Sequence, residues 1–172
     1  YGDGKLGFSD EHEQLEALRP LNLYGFSKHL FDLWLKQHKA LEQVVGLKYF
    51  NVYGPNEWHK GRMASMVYHM LPKIQKEGVA KLFKSSEPEK YGDGDQCRDF
   101  IYVKDVAAIT CSFLTNDLNG IFNVGRGVPA TWNEVAGAIF DALGLSPNIE
   151  YVDMPPDLVK QYQNYTCANL NK

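Results

Sequence analysis

The sequence predicts an α/β fold built on a parallel sheet, and three features predict it. Segments with apolar residues at helical spacing alternate with short β-rich runs along the whole chain. No internal repeat or low-complexity tract interrupts the alternation. One run, residues 44–52, is apolar enough for a strand covered on both faces, as parallel sheets require. The 172 residues, 44% apolar and 23% charged, suit one globular domain or a piece of one and exclude a disordered or fibrous chain.

The elements follow in order. Through Leu23, glycines, acids and Pro20 occur without a sustained period, predicting loop with a short helix at 11–18. Over 24–39, Leu30, Phe31, Trp34 and Leu35 recur three and four apart, predicting a helix with that face buried. The strand at 44–52 is stopped by Gly54-Pro55, and 56–62 is polar and irregular. Met66, Val67, Met70, Leu71 and Ile74 mark a helix over 63–77, weakened in its second half by Pro72. Strands are expected at 81–84, 100–103, 120–124 and 149–152. Helices are expected at 105–114, capped by Asp105, and at 131–143, where Thr131 and Glu134 form a capping-box pattern.

Composition excludes several functions. With 21 acidic and 18 basic side chains and a net charge of -3, no broad basic field exists to hold nucleic acid or an anionic membrane. No apolar run approaches the roughly 18 residues of a transmembrane helix, and Tyr1-Gly2-Asp3-Gly4 resembles no signal peptide, so the cytoplasm is expected. Cys97, Cys111 and Cys167 are odd in number and far apart, which fits reduced thiols rather than a disulfide framework or zinc module. His12, His29, His38 and His59 lack cysteine or carboxylate partners at ligand spacing, so no metal site is expected.

The chemistry centres on Tyr24 and Lys28, four residues apart at a helix start and therefore on one face. A phenol is a poor base at neutral pH, but a unit positive charge ~4 Å away at an effective dielectric of ~20 favours the phenolate by about 4 kcal/mol. Such a tyrosine can exchange a proton with an alcohol. Taken alone, the pair also fits a surface tyrosine beside a solvated lysine.

The surroundings favour chemistry. Asn51 ends an otherwise apolar strand, at the place where open α/β sheets bind ligands. Tyr24-Gly25-Phe26-Ser27-Lys28, Tyr49-Phe50-Asn51-Val52-Tyr53-Gly54-Pro55, the block from Arg98 to Ala107 and the block from Gly120 to Gly125 together resemble the extended short-chain dehydrogenase/reductase superfamily. Gly54-Pro55-Asn56-Glu57-Trp58-His59-Lys60-Gly61-Arg62-Met63-Ala64-Ser65 is similar to the loop of the ADP-L-glycero-D-manno-heptose 6-epimerase family, and the resemblance extends through Tyr162-Gln163.

That resemblance implies an NADP-dependent epimerase, NAD remaining open, that acts on ADP-heptose for the lipopolysaccharide core and forms homo-oligomers. It implies Tyr24 as catalytic tyrosine, Lys60 as second acid/base, and Tyr24, Lys28, Val52 and Lys60 at the cofactor. It implies substrate contacts from Asn51, Arg62, His69, Arg98, Tyr162 and the stretch Lys81-Leu82-Phe83-Lys84. Arg62 stands where the family also carries serine, and could pair with a phosphate. The residues themselves leave plainer roles open: Lys60 as a solvated loop charge, His69 as a hydrogen-bonded core histidine, Arg98 as the ion-pair partner of Asp99.

The resemblance further implies a division in which residues of about 1–56, with returns near 95–125, form the last part of a Rossmann-like sheet. Residues of about 57–95 and 126–172 then belong to a smaller α/β sugar-nucleotide domain. No G-x-x-G-x-x-G phosphate fingerprint occurs; Gly92-Asp93-Gly94 and Gly125-Arg126-Gly127 lack the third glycine. The chain therefore reads as the C-terminal portion of an epimerase, without its dinucleotide-binding half and inactive by itself. A 4-epimerase or 4,6-dehydratase of the same superfamily, or a non-catalytic nucleotide-sugar-binding remnant, are the alternatives.

Overall fold

The computed structural model describes residues 2–171. Tyr1 and the His12 side chain, both used in the sequence reading, lie outside the described part. A 3-10 turn at His12–Ala17 leads to helix α1 (Leu23–Gln37), which Asn22 caps by accepting the Gly25 N–H at 2.8 Å. Strands β1 (Val45–Tyr49) and β2 (Asn51–Tyr53) follow, then a 3-10 segment at Trp58–Met63 and helix α2 (Met66–Glu77). Next come β3 (Ala80–Phe83), β4 (Cys97–Tyr102), α3 (Val103–Ser112), β5 (Gly120–Val124), β6 (Pro129–Thr131), α4 (Trp132–Leu143), β7 (Ile149–Val152) and α5 (Pro156–Val159).

The alternation forms parallel pairs: β1 with β5, β2 with β4, and β3 with β7. Among the described residues β6 alone runs antiparallel, against the start of β4. Two apolar clusters hold the layers. Met70 and Ile74 of α2 meet Ala136, Ile139 and Phe140 of α4 over Ala80 and Leu82 of β3, while Ile101, Val106 and Val124 join β4, α3 and β5. The capping box of α4 forms as expected, with the Thr131 hydroxyl accepting the Glu134 N–H at 3.0 Å and the Glu134 carboxylate accepting the Thr131 N–H at 2.7 Å. Pro72 sits inside α2 without ending it.

Four expectations need correction. First, α1 turns inward Gly25, His29, Asp32 and Leu35, leaving Leu30, Phe31 and Trp34 about half exposed. The inward face is polar because Asp32 pairs with Lys48 of β1. Second, the 44–52 run is half-buried rather than covered, and it breaks at Phe50, so that β1 and β2 take different partners. Third, β4 runs from Cys97 and ends at Tyr102, which stands at the N-cap of α3, so the helix starts at Val103 and Asp105 falls in its first turn rather than at the cap. Fourth, the irregular 56–62 segment contains a 3-10 helix.

Candidate active site

A cleft of about 470 Å3 opens beside the N-terminal turn of α1, lined by Tyr24, Lys48, Asn51, Arg98 and Gln163 among others. Tyr24 reaches it from the first turn of the helix and is 63% exposed. One helical turn on, the Lys28 ammonium lies 5.4 Å from the centre of the Tyr24 ring. An ammonium and a phenol on one helix face fit the hydroxyls of a nicotinamide ribose, and this is the part of the chain that could hold such a cofactor. Asn51 opens β2 and is fixed by donating its Nδ2–H to the Asp99 carbonyl at 3.1 Å.

Arg98 enters the same cleft from β4. Its Nη1 donates to the Cys97 carbonyl at 2.8 Å, and its guanidinium carbon lies 4.9 Å from the Tyr162 ring centre and 5.8 Å from that of Trp132. Trp132 Nε1 donates to Tyr162 Oη at 2.8 Å, and Phe83 meets Tyr162 edge-on at 6.5 Å. Burial pushes the Arg98 guanidinium below its ordinary value, with Tyr162 and Cys97 opposing that shift. Among the described residues no carboxylate pairs with Arg98. The adjacent Asp99 instead accepts backbone N–H groups from Arg126 at 2.7 Å, Gly127 at 2.9 Å and Ala168 at 2.8 Å. A half-buried cation over two aromatic rings, with no carboxylate paired to it among the described residues, suits an anionic ligand.

The remaining predicted residues lie elsewhere. Lys60 and Arg62 sit on the 3-10 segment after β2 and do not line the cleft. The Lys60 ammonium is 3.5 Å from the Glu57 carboxylate. His69, on α2, is half-buried and edge-on to Tyr68 at 5.8 Å. Val52 packs on the Ile101–Val106–Val124 cluster and Leu82 lies in the α2–α4 core, so neither side chain faces a ligand and any such contact falls to their backbone. Lys81 pairs with Glu150 at 3.6 Å and Lys84 with Asp153 at 3.0 Å. The three cysteines are unpaired. Among the described residues no group of His, Cys, Asp or Glu is placed to hold a metal ion, and no helix is long and apolar enough to cross a membrane.

Sequence reasoning did not find Trp132, Asp99 or Glu57 as parts of this region. Trp132 directly follows a helix cap and Glu57 stands in a polar loop, so neither carries a local signal; only their partners, remote in sequence or reached by loop closure, give them a role.

The chain is 50% identical over 173 residues to an ADP-L-glycero-D-manno-heptose-6-epimerase of Nitratidesulfovibrio vulgaris (strain DP4), covering 100% of this chain and 53% of the relative. It is 45% identical over 182 residues to the protein of that name in Fusobacterium nucleatum, covering 100% of this chain and 54% of the relative. It thus spans about half the length of the curated relatives it matches. The solved Helicobacter pylori ADP-L-glycero-D-manno-heptose-6-epimerase superposes with a TM-score of 0.71 at 32% identity, over 87% of this chain and 43% of that one. A Thermus thermophilus UDP-glucose 4-epimerase, solved in complex with NAD, gives 0.69 at 29% identity over 88% of this chain and 47% of that one. Residues 1–125 match the NAD dependent epimerase/dehydratase family. The chain belongs to the NAD dependent epimerase/dehydratase family.

Proposed function

We propose that the protein containing this chain epimerises C6″ of ADP-D-glycero-D-manno-heptose to the L-glycero form, for the lipopolysaccharide core, by transient oxidation and re-reduction. The observation that carries this reading is the meeting of Tyr24 and Arg98 in one cleft: a phenol beside a lysine, and a cation that no carboxylate among the described residues pairs. Relatives at 43 to 50% identity supply the substrate's name.

A nicotinamide cofactor, NADP in this proposal, would be held at Tyr24 and Lys28 and would supply reversible hydride transfer at the carbinol carbon. Tyr24 accepts the hydroxyl proton in one epimer, with Lys28 stabilising the phenolate and contacting the cofactor ribose. The hydroxyl points differently in the other epimer, and Lys60 serves that orientation. Val52 contributes backbone at the cofactor. Arg98 and Tyr162 hold the diphosphate end, Phe83 with its neighbours Lys81, Leu82 and Lys84 the nucleotide side, and Asn51, Arg62 and His69 the sugar. In this reading residues of about 1–56 and 95–125 belong to the dinucleotide-binding part, those of about 57–95 and 126–172 to the substrate part. The enzyme works in the cytoplasm as a homo-oligomer.

The test uses the full-length enzyme with each epimer, following single-turnover reduction of bound NADP. Tyr24→Phe and Lys60→Met should each lose about 10²-fold or more, each hitting a different half-reaction harder. A Lys60→Met enzyme that epimerises at the normal rate would reduce Lys60 to a loop charge. Activity on a UDP- or dTDP-hexose alone would favour a 4-epimerase or 4,6-dehydratase.

A further inference from the structure

We propose that Glu57 is the positioning residue of Lys60: its buried carboxylate draws the 54–65 loop onto itself and so sets where the Lys60 ammonium is presented. The inference rests on the reading of Lys60 as second acid/base.

Glu57 is 4% exposed, and a carboxylate that deep must be satisfied by nearby donors. Oε2 accepts the Ser65 N–H at 2.7 Å, and Oε1 accepts the Ser65 hydroxyl at 2.6 Å and the Gly54 N–H at 3.2 Å. Oε2 also lies 3.5 Å from Lys60 Nζ. Gly54 directly follows β2, and Ser65 caps α2 by accepting the Tyr68 N–H at 3.2 Å. One side chain therefore ties both ends of the loop to its middle.

The loop needs such a tie. Asn56 at φ 70° and Gly61 at φ 53° lie in the left-handed region on either side of the helical Glu57–Lys60 segment, so the chain changes direction at both of its ends. Gly54, at φ 145°, has no room for a Cβ, which would stand 2.5 Å from Val103 Cγ1. Lys60 itself is a point charge on a flexible stem with its side chain 40% exposed, and Glu57 is the carboxylate within ion-pair distance of it. Burial pushes the Glu57 carboxyl up, but the Ser65 hydroxyl, the Ser65 and Gly54 amides and the Lys60 charge outweigh it and hold the carboxyl below its ordinary value. It is therefore an anion at neutral pH.

A residue that only staples the loop would slow both half-reactions alike. A residue that presents Lys60 acts through Lys60 alone, and a double-mutant cycle separates the two. In the full-length enzyme, Glu57→Gln should slow the Lys60-served half-reaction about 10- to 100-fold, the usual penalty for a displaced acid/base group. KM for the nucleotide sugar and the Tyr24-served half-reaction should stay near normal. Added to Lys60→Met, Glu57→Gln should cost nothing more. Should Glu57→Gln not fold, Ser65→Ala removes one donor to the same carboxylate and carries the same test, with a smaller loss and the same non-additivity. Additive losses beside an impaired Lys60→Met enzyme, or equal slowing of both half-reactions, would overturn the positioning role while leaving Lys60 catalytic. A normal Lys60→Met enzyme would overturn the Lys60 reading itself, and the role of Glu57 with it.

Discussion

The Arg98 guanidinium lies over the Tyr162 ring, 4.9 Å from its centre, while Trp132 fixes the Tyr162 hydroxyl by donating a 2.8 Å hydrogen bond. A flexible cation is thereby confined to one place, where its Nη1 donates to the Cys97 carbonyl. The arrangement joins β4, the start of α4 and the segment after α5, and none of these alone would orient the group.

Arg98→Ala should weaken binding of the ADP-sugar by about 1.5 to 3 kcal/mol, the range for hydrogen bonds to charged groups, with nicotinamide affinity nearly unchanged. Arg98→Lys should recover little, because an ammonium cannot stack or offer a planar fork. Titration calorimetry with ADP and NADP separately reads both; equal losses for the two ligands would show that Arg98 supports the fold instead.

Asp99 is fully buried and accepts three backbone N–H groups that come from two distant segments, the turn after β5 and the C-terminal stretch. Asp99→Ala strands all three. At about 1 to 3 kcal/mol for each stranded group, the loss should reach at least about 3 kcal/mol. Urea denaturation measures it, and a midpoint shift worth under about 1 kcal/mol would mean that water or backbone movement replaces the carboxylate.

His29 is 4% exposed with Nδ1 unpartnered, and burial pushes its imidazole below the ordinary histidine range. The unfolded chain then binds a proton near pH 6.5 that the folded chain refuses, so this stability is full above that pH and is lost as pH falls from there toward the lower folded-state value. The slope stays under the ceiling of about 1.4 kcal/mol per pH unit for one proton. His29→Leu should flatten the pH dependence of the denaturation midpoint below about pH 6.5; an unchanged slope is the outcome that counts against it.

Much of the molecule is written in short-range patterns. The alternation of elements, the Thr131–Glu134 capping box, the helical spacing of Met70 and Ile74 and the placing of Tyr24 one turn before Lys28 depend on residues three or four apart, where the sequence itself sets the distance. The tertiary structure decided what depends on partners far along the chain or across a loop closure. A three-residue strand containing Pro129 has no periodicity to betray that it pairs antiparallel with β4. The apolar residues of α1 predict a buried face by their spacing, yet the Asp32–Lys48 pair turns the polar side inward. Arg98, Asp99 and Glu57 are charges whose neighbours in sequence suggest ion pairs or solvent. Their meaning comes from Tyr162, Ala168 and Ser65, which reach them only after the chain has folded, because a hydrogen bond depends on separation in space and a motif records only separation along the chain.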